Sequence, residues 1–471
     1  FVFFMPDEMR AESLGCYGNP IVKTPNFDHL AQQGVRFEQC HVQNTVCAPS
    51  RCSLMTGWPV HVRGHRSLYY GLHPDEPNLL RYLKENGYDV YWYGKNDLLS
   101  PDSFAQSVTD WGAKVERPRS TARNPWPQDD PHFYSFLWDR LPDRRETSDY
   151  ANVQAAIKIL EQKSDRPFCL YLPLITPHPP FTAPEDFYDM YKPADLPPLR
   201  PPGLPRKPNF HEAIRRTRRL DQLSDADFRK IQATYLGMVS YSDWLLGQLM
   251  EAIDRTGHTD DTALFLFSDH GEWAGDFGLV EKWPSAMEDT LTHVPLIARI
   301  PGYQKGHVSH EIVELYDVMA TCLDLAGITA QHTHFASSLI PQLQGKPGDP
   351  KRAAFCEGGY NTYEPQCFEP MQDFSNPANI YYPKIKLQND HPETITRTTM
   401  IRTAAAKLIF RPNGQSELYD LEKDPRELHN AYGDTSYAKQ QQELQSRLLN
   451  WYVRTADVAP RKLDPRGFPS A

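Results

Sequence analysis

Ser148-Asp-Tyr-Ala-Asn-Val-Gln-Ala-Ala-Ile-Lys-Ile-Leu160 runs through a short polar link into Phe168-Cys-Leu-Tyr-Leu172. Tyr150, Val153, Ile157 and Leu160 recur at steps of three and four, which puts them on one face of a helix over 148–162. Residues 168–172 are a continuous apolar run of strand length, the pattern of a strand covered on both faces. The same order recurs on either side. Thr24-Pro25-Asn26 predicts a helix start, with Phe27, Leu30 and Ala31 on its apolar face and Gly34 as its stop. Residues 77–86 repeat the pattern before Gly87 and the strand Tyr88–Tyr93. A helix ending near Ile253 precedes Thr262–Phe267, Val294–Ala298 is a further strand-like run, and Phe1–Phe4 opens the chain as another. Short apolar strands alternating with amphipathic helices predict an α/β fold with a large mixed, mostly parallel sheet sandwiched by helices.

Two stretches interrupt this rhythm, 100–147 and 179–224, both rich in Pro, Arg and Asp and expected to be long excursions at strand ends. From about 350 the texture changes to shorter strand-like pieces such as Met400–Thr403 and Lys407–Phe410, closed by a helix carrying Leu444, Leu448 and Trp451. The expected division is a catalytic α/β domain over 1–350 and a C-terminal α+β subdomain over 351–471, with a small antiparallel sheet and a closing helix. The net charge of −10 argues against nucleic acid or an anionic membrane surface as partner. No apolar run approaches the ~20 residues of a membrane span. Eight scattered cysteines show no disulfide framework. The chain begins inside a strand-like run without a signal pattern. A periplasmic or secreted location is the expectation if a signal peptide has been removed.

Three segments carry the chemistry. In Val46-Cys-Ala-Pro-Ser-Arg-Cys-Ser-Leu-Met-Thr-Gly57, Pro49 suits a helix start and places Cys47 at the positive end of the helix dipole. A thiol there, with Arg51 one turn on, is expected to be acidified. The strand ending at Phe267 runs into Ser268-Asp-His-Gly-Glu272, and the first strand into Met5-Pro-Asp-Glu-Met-Arg10. Acidic groups beyond the carboxyl ends of parallel strands sit where such sheets bind ligands. Hard oxygen donors from both loops suit Ca²⁺, or Mg²⁺.

Cys-x-Pro-Ser-Arg followed by Leu-x-Thr-Gly resembles the signature of the sulfatase family, in the alkaline phosphatase superfamily, whose cysteine is oxidised to formylglycine by a dedicated generating enzyme. The resemblance implies a hydrated aldehyde at Cys47. One oxygen attacks sulfur while the alcohol leaves, and the second hydroxyl collapses to the carbonyl and expels sulfate. It implies a metal held by Asp7, Glu8, Cys47 as formylglycine, Asp269 and His270, with Glu8 standing where the family usually has Asp. Thr176-Pro-His-Pro-Pro-Phe181 matches the family's Pro-His-x-Pro-Phe. Lys95, His178 and Lys282 then fall at positions that neutralise sulfate oxygens or protonate the leaving alcohol, beside Arg51. Glu417–Glu427 resembles the family's C-terminal element.

One position departs from the pattern. Sulfatases usually carry Gly-Lys-x-His after the strand here ending at Tyr93, whereas this chain has Gly94-Lys-Asn-Asp97. A carboxylate cannot donate a hydrogen bond and repels sulfate, so Asp97 is expected to turn toward a cation such as Lys95 or to accept from a substrate hydroxyl. His65 is expected to supply the missing imidazole. Arg66, Trp283 and the tyrosines 360, 363, 381 and 382 are candidates to line a sugar site, which favours a sulfated saccharide over small aryl sulfates. The competing reading is a phosphonate or phosphate ester hydrolase of the same superfamily. A non-catalytic glycan-binding relative is disfavoured by the retention of Cys47 and the acidic pairs.

Overall fold

The computed structural model describes residues 1–112, 123–361, 364 and 376–458. Nine strands form the principal sheet: β1 (Val2–Met5), β2 (Val35–His41), β3 (Asp89–Trp92), β4 (Asp110–Trp111), β5 (Phe168–Pro173), β6 (Leu264–Phe267), β7 (His293–Val294), β8 (Leu296–Arg299) and β9 (His307–Glu314). Their order is β4-β3-β5-β1-β6-β8-β2-β7, with β9 beside β2. The run β4-β3-β5-β1-β6 is parallel throughout, and β8 turns antiparallel at β6. The sheet is thus mixed and mostly parallel, as the alternation of strand and helix requires. The expected single run Val294–Ala298 is divided by Pro295, which has no N–H to give the ladder.

Register sets the site. In β1, Val2 lies opposite Leu170 of β5 and Leu264 of β6, and Phe4 opposite Leu172 and Leu266. The carboxyl ends of β1 and β6 are therefore level, so the loops at Asp7 and Asp269 emerge side by side.

Alternate residues of β1 feed two cores. Val2 and Phe4 pack with helices Pro25–Gln33, Ser148–Leu160 and the 31-residue helix Asp225–Arg255. Phe3 and Met5 pack with helices Cys47–Thr56, Leu79–Glu85 and Asp317–Leu325. The longest helix begins at a reciprocal capping box between Ser224 and Asp227. No helix among the described residues is long and apolar enough to cross a membrane.

A second, antiparallel sheet comprises β10 (Ala354–Gly358), β11 (Thr398–Arg402), β12 (Ala406–Phe410) and β13 (Glu417–Asp420). Leu444 and Leu448 of helix Ala438–Thr455 bury against Ile401, Leu408 and Leu418 of this sheet. Backbone bonds join it to the first sheet: Glu357 N–H donates to the Gln43 carbonyl (2.9 Å) and Gly359 N–H to the Pro284 carbonyl (2.7 Å).

Candidate active site

Five segments deliver the charged groups to one place. Beyond β1, Pro6-Asp7-Glu8 turns sharply, with Glu8 at φ 65°, a left-handed conformation uncommon for a residue with a side chain. The turn is held by Glu8 N–H donating to Asp269 Oδ1 (3.3 Å) and by the Tyr235 hydroxyl donating to the Glu8 carbonyl (2.8 Å). Cys47 is the first residue of its helix, entered from extended Val46, whose N–H donates to Asn44 Oδ1 (2.7 Å). Beyond β3, a Cβ on Gly94 would stand 2.1 Å from the Pro173 carbonyl oxygen, so only glycine lets the chain pass. That approach allows Lys95 N–H to donate to the same oxygen (2.8 Å) and aims the lysine inward. The loop after β5 brings His178, and the loop after Glu272 brings Lys282.

The side chains converge on Cys47 Sγ. Asp7 Oδ1 lies 3.4 Å away, His270 Nε2 3.2 Å and Lys95 Nζ 3.7 Å. Lys95 Nζ is 2.8 Å from both Asp7 Oδ2 and Asp97 Oδ2. Arg51 donates through Nε to Asp269 Oδ2 (2.8 Å) and lies 3.1 Å from Asp7 Oδ2. Lys282 contacts Glu8 Oε1 and stands 3.0 Å from His178 Nε2. His178 Nε2 is itself 3.0 Å from Glu8 Oε1.

Asp7, Glu8, Cys47 and His270 each offer a ligand atom within 4.8 Å of the others, and all four are buried. Glu8 Oε2 accepts from no N–H or O–H among the described residues and stands near the carboxylate of Glu272, which helps to raise Glu8. His270 Nδ1–H donates to the Gly271 carbonyl (2.8 Å), which leaves the lone pair of Nε2 facing the cluster. That carboxylate oxygen and an oriented imidazole are the donors a cation would complete.

Burial and charge act against each other here. Burial would raise Asp7, but Lys95 and Arg51 outweigh it and hold the carboxyl well below the usual range. Glu8 is pushed well up by burial, which Lys282 only partly offsets. His178 is held well below the usual imidazole range by burial and then by Lys282 and Lys95, so it is neutral at neutral pH. Burial would lower Lys282, yet Cys47, Glu8 and Glu281 around it hold it well above its ordinary value.

Several expectations need correction. The Cys47 thiol is not acidified: burial drives its pKa well up, and nearby Asp7 adds to this against the pull of Lys282 and Lys95. Helix position does not overcome complete desolvation. The fifth expected metal ligand, Asp269, keeps its place beside the other four, accepting from Arg51, which also pairs with Asp7, and from the amides of Glu8 and His270. Trp283 cannot stack on a sugar. It is 1% exposed, and its indole N–H donates to the Thr394 carbonyl (2.7 Å). His65 does not replace the missing imidazole, because its ring spends Nδ1 on the Tyr70 carbonyl (2.7 Å) and Nε2 on Glu76 (2.9 Å). Arg66 is buried against Glu357 (3.3 Å) and the Gly359 carbonyl (3.3 Å). Tyr360 is buried too, and Tyr363 lies outside the described residues.

Sequence reasoning also missed groups that support Lys282. Glu281 accepts from Arg218 (3.0 Å) and lies 3.6 Å from both Lys282 and Lys384, all buried. Glu281 was findable as the neighbour of a predicted site lysine, whereas Arg218 and Lys384 come from segments with no motif. The loop carrying Lys282 is pinned on the C-terminal side. Trp283 and the Ser285 hydroxyl both donate to the Thr394 carbonyl, and Lys407 Nζ donates to the Met287 carbonyl (2.9 Å).

Residues 1–328 match the family model described as Sulfatase, most of the chain. The chain belongs to the sulfatase family. Its members are sulfuric ester hydrolases, and residues 369–454 separately match the model for the C-terminal region of N-sulphoglucosamine sulphohydrolase. Among curated proteins, this sulfatase is 27% identical over 508 positions to a multifunctional alkaline phosphatase superfamily protein, PehA, of Trinickia caryophylli, covering 96% of this chain and 93% of that one. It is 25% identical to an N-acetylglucosamine-6-O-sulfatase of Bacteroides thetaiotaomicron, covering 98% and 87%. Its fold is similar to the crystal structure of a phosphonate monoester hydrolase of Agrobacterium radiobacter, with a TM-score of 0.78 at 22% identity over 100% and 99% of the two chains.

Proposed function

We propose that this sulfatase hydrolyses a sulfate ester on a sulfated saccharide, with Cys47 oxidised to formylglycine and a calcium ion, or magnesium, held by Asp7, Glu8, Asp269, His270 and the oxidised Cys47 side chain. The observation carrying this reading is the convergence on Cys47 Sγ of Asp7, His270 and Lys95. The sulfur stands in for a hydroxyl oxygen on the hydrate carbon, which is the former Cβ, so these distances describe the surroundings of the nucleophile. When bound, the cation lowers the pKa of the hydrate and draws charge from the ester oxygens.

The chain's own residues do the rest. Asp7, held ionised by Lys95 and Arg51, accepts a hydrogen bond at the position of the attacking hydroxyl. Lys95 and Lys282 flank that position and neutralise sulfate oxygens as charge builds on them. His178, kept neutral and donating Nδ1–H to the Pro179 carbonyl, accepts from the Lys282 ammonium through Nε2 (3.0 Å) and so positions that ammonium as the source of a proton for the departing alkoxide. Arg51 binds no substrate in this reading; it fixes Asp7 and Asp269. The saccharide assignment draws support from the similarity to the N-acetylglucosamine-6-O-sulfatase.

The test is sulfate release across a panel of sulfated oligosaccharides, together with mass spectrometry of the peptide containing Cys47. Full activity with an unmodified thiol would sink the mechanism. A second reading, phosphonate or phosphate ester hydrolysis, draws support from the similarity to a relative named as multifunctional within the alkaline phosphatase superfamily and from the fold shared with a phosphonate monoester hydrolase. A higher kcat/KM for a phenyl phosphonate monoester than for every sulfate ester tested would establish it instead.

A further inference from the structure

Each cation of the site is already matched by carboxylates: Arg51 by Asp7 and Asp269, Lys282 by Glu8 and Glu281, and Lys95 by Asp7 and Asp97. Asp97 differs from the others in exposure: its side chain is 16% exposed, where those of Asp7, Glu8 and Asp269 are fully buried and that of Glu281 is 2% exposed. Lys95 is the most open of the three cations, with its side chain 25% exposed against 0% for Arg51 and 2% for Lys282. Lys95 and Asp97 thus have the most exposed side chains of this charge network, although Asp97 Oδ2, the oxygen that meets Lys95, is itself buried. The backbone on either side of Asp97 is fixed by a turn in which Asn96 Oδ1 accepts from the N–H groups of Leu98 (3.1 Å) and Leu99 (3.0 Å), and the carboxylate itself is held against Lys95 Nζ (2.8 Å).

A substrate anion that engages Lys95 must take up a place within a few ångströms of this fixed negative charge. Repulsion grows in proportion to the charge the anion brings, and a partly desolvated site screens it weakly. A sulfate monoester carries one negative charge at any pH the protein tolerates. A phosphate monoester carries nearly two above its second pKa of about 6. We propose that Asp97 is a specificity-determining residue that, by sharing Lys95 with Asp7, makes the site select singly charged tetrahedral esters over doubly charged ones. The inference rests on the sulfatase reading of the same site. It also explains how the chain tolerates a carboxylate there, since the residue acts on which anion enters and need not touch the bond that breaks.

The experiment compares wild type, Asp97→Asn and Asp97→Glu at pH 8, with phenyl phosphate as a competitive inhibitor of 4-nitrophenyl sulfate hydrolysis. The quantity read is the inhibition constant of phenyl phosphate divided by the KM for the sulfate. Asp97→Asn should lower this ratio at least tenfold, because removing the charge helps the dianion more than the monoanion. Asp97→Glu, which restores the charge, should keep the ratio within about threefold of wild type. A ratio in Asp97→Asn within twofold of wild type, in protein with unchanged Tm, overturns the inference. A wild-type protein, shown by mass spectrometry to carry formylglycine, that hydrolyses no sulfate ester overturns the underlying functional reading instead.

Discussion

Lys282→Met is the most informative single change to the candidate site. It keeps the buried stem and removes one ammonium, which contacts Glu8 and lies 3.0 Å from His178 and 3.6 Å from Glu281. Two losses are expected and they have different sizes. For the reaction, loss of one preorganised donor to developing negative charge costs roughly 100- to 1,000-fold in kcat. For the fold, breaking a buried ion pair costs about 3–5 kcal/mol when the remaining charge has no escape. Here both partners have one. Glu281 keeps Arg218 and Lys384, and burial already pushes Glu8 toward its protonated form, so the destabilisation should fall at or below the lower end of that range. The variant should therefore be folded at 25 °C and nearly inactive. The assay is steady-state kinetics on 4-nitrophenyl sulfate at enzyme concentrations corrected for folded, formylglycine-bearing protein. A kcat within threefold of wild type would refute the assignment of Lys282 to the reacting centre. Inactivity explained entirely by a lost folded fraction would refute the separation of the two effects.

Asp243 is buried, accepts from Phe27 N–H (2.7 Å) at the start of helix Pro25–Gln33, and has its pKa raised by burial from 3.8 to about 7. A raised folded pKa gives stability that is complete below 3.8 and is lost as pH rises through 7, so the advantage of Asp243→Asn should be roughly 2–3 kcal/mol larger at pH 8.5 than at pH 5 by urea denaturation; equal advantages at both would contradict the linkage. Trp283→Phe should lower Tm, since the bond to Thr394 is worth about 1 kcal/mol, and leave KM for a sulfated oligosaccharide within threefold. A tenfold rise in KM at unchanged Tm would restore the sugar-stacking role. Stripping metal with EDTA should abolish turnover, and calorimetric titration of Ca²⁺ into the stripped protein should show binding that Asp7→Asn loses. Titration heats unchanged in Asp7→Asn would remove the cluster as the binding site.

The principal sheet was legible because its strands are continuous apolar runs separated by helices with clean apolar faces, as in 148–172. The site was legible in part, because Asp7, Glu8, Asp269 and His270 follow strand ends that lie level in the sheet, and strand ends can be seen in sequence. What sequence could not reveal was the direction in which a polar or aromatic side chain points. Trp283, His65 and Arg66 have the composition of a ligand-binding rim, yet each is consumed by a partner far away in sequence or across its own loop: Thr394, Glu76 and Glu357. The thiol of Cys47 was misjudged for the same reason. The helix start can be read locally, whereas its burial depends on loops drawn from five places in the chain.

The anchoring of the Lys282 loop to Thr394 and Lys407 has a consequence for how this molecule would fail. A lysine beyond a strand end of the principal sheet is located by Thr394, just ahead of the second sheet, and by Lys407 within it, so a protease that severs the chain near residue 350 need unfold nothing in order to silence it. If the released fragment drifts even slightly, the far-ultraviolet spectrum and the principal core should survive while turnover is lost. Adding the C-terminal fragment back in trans should recover activity without any change in helical content.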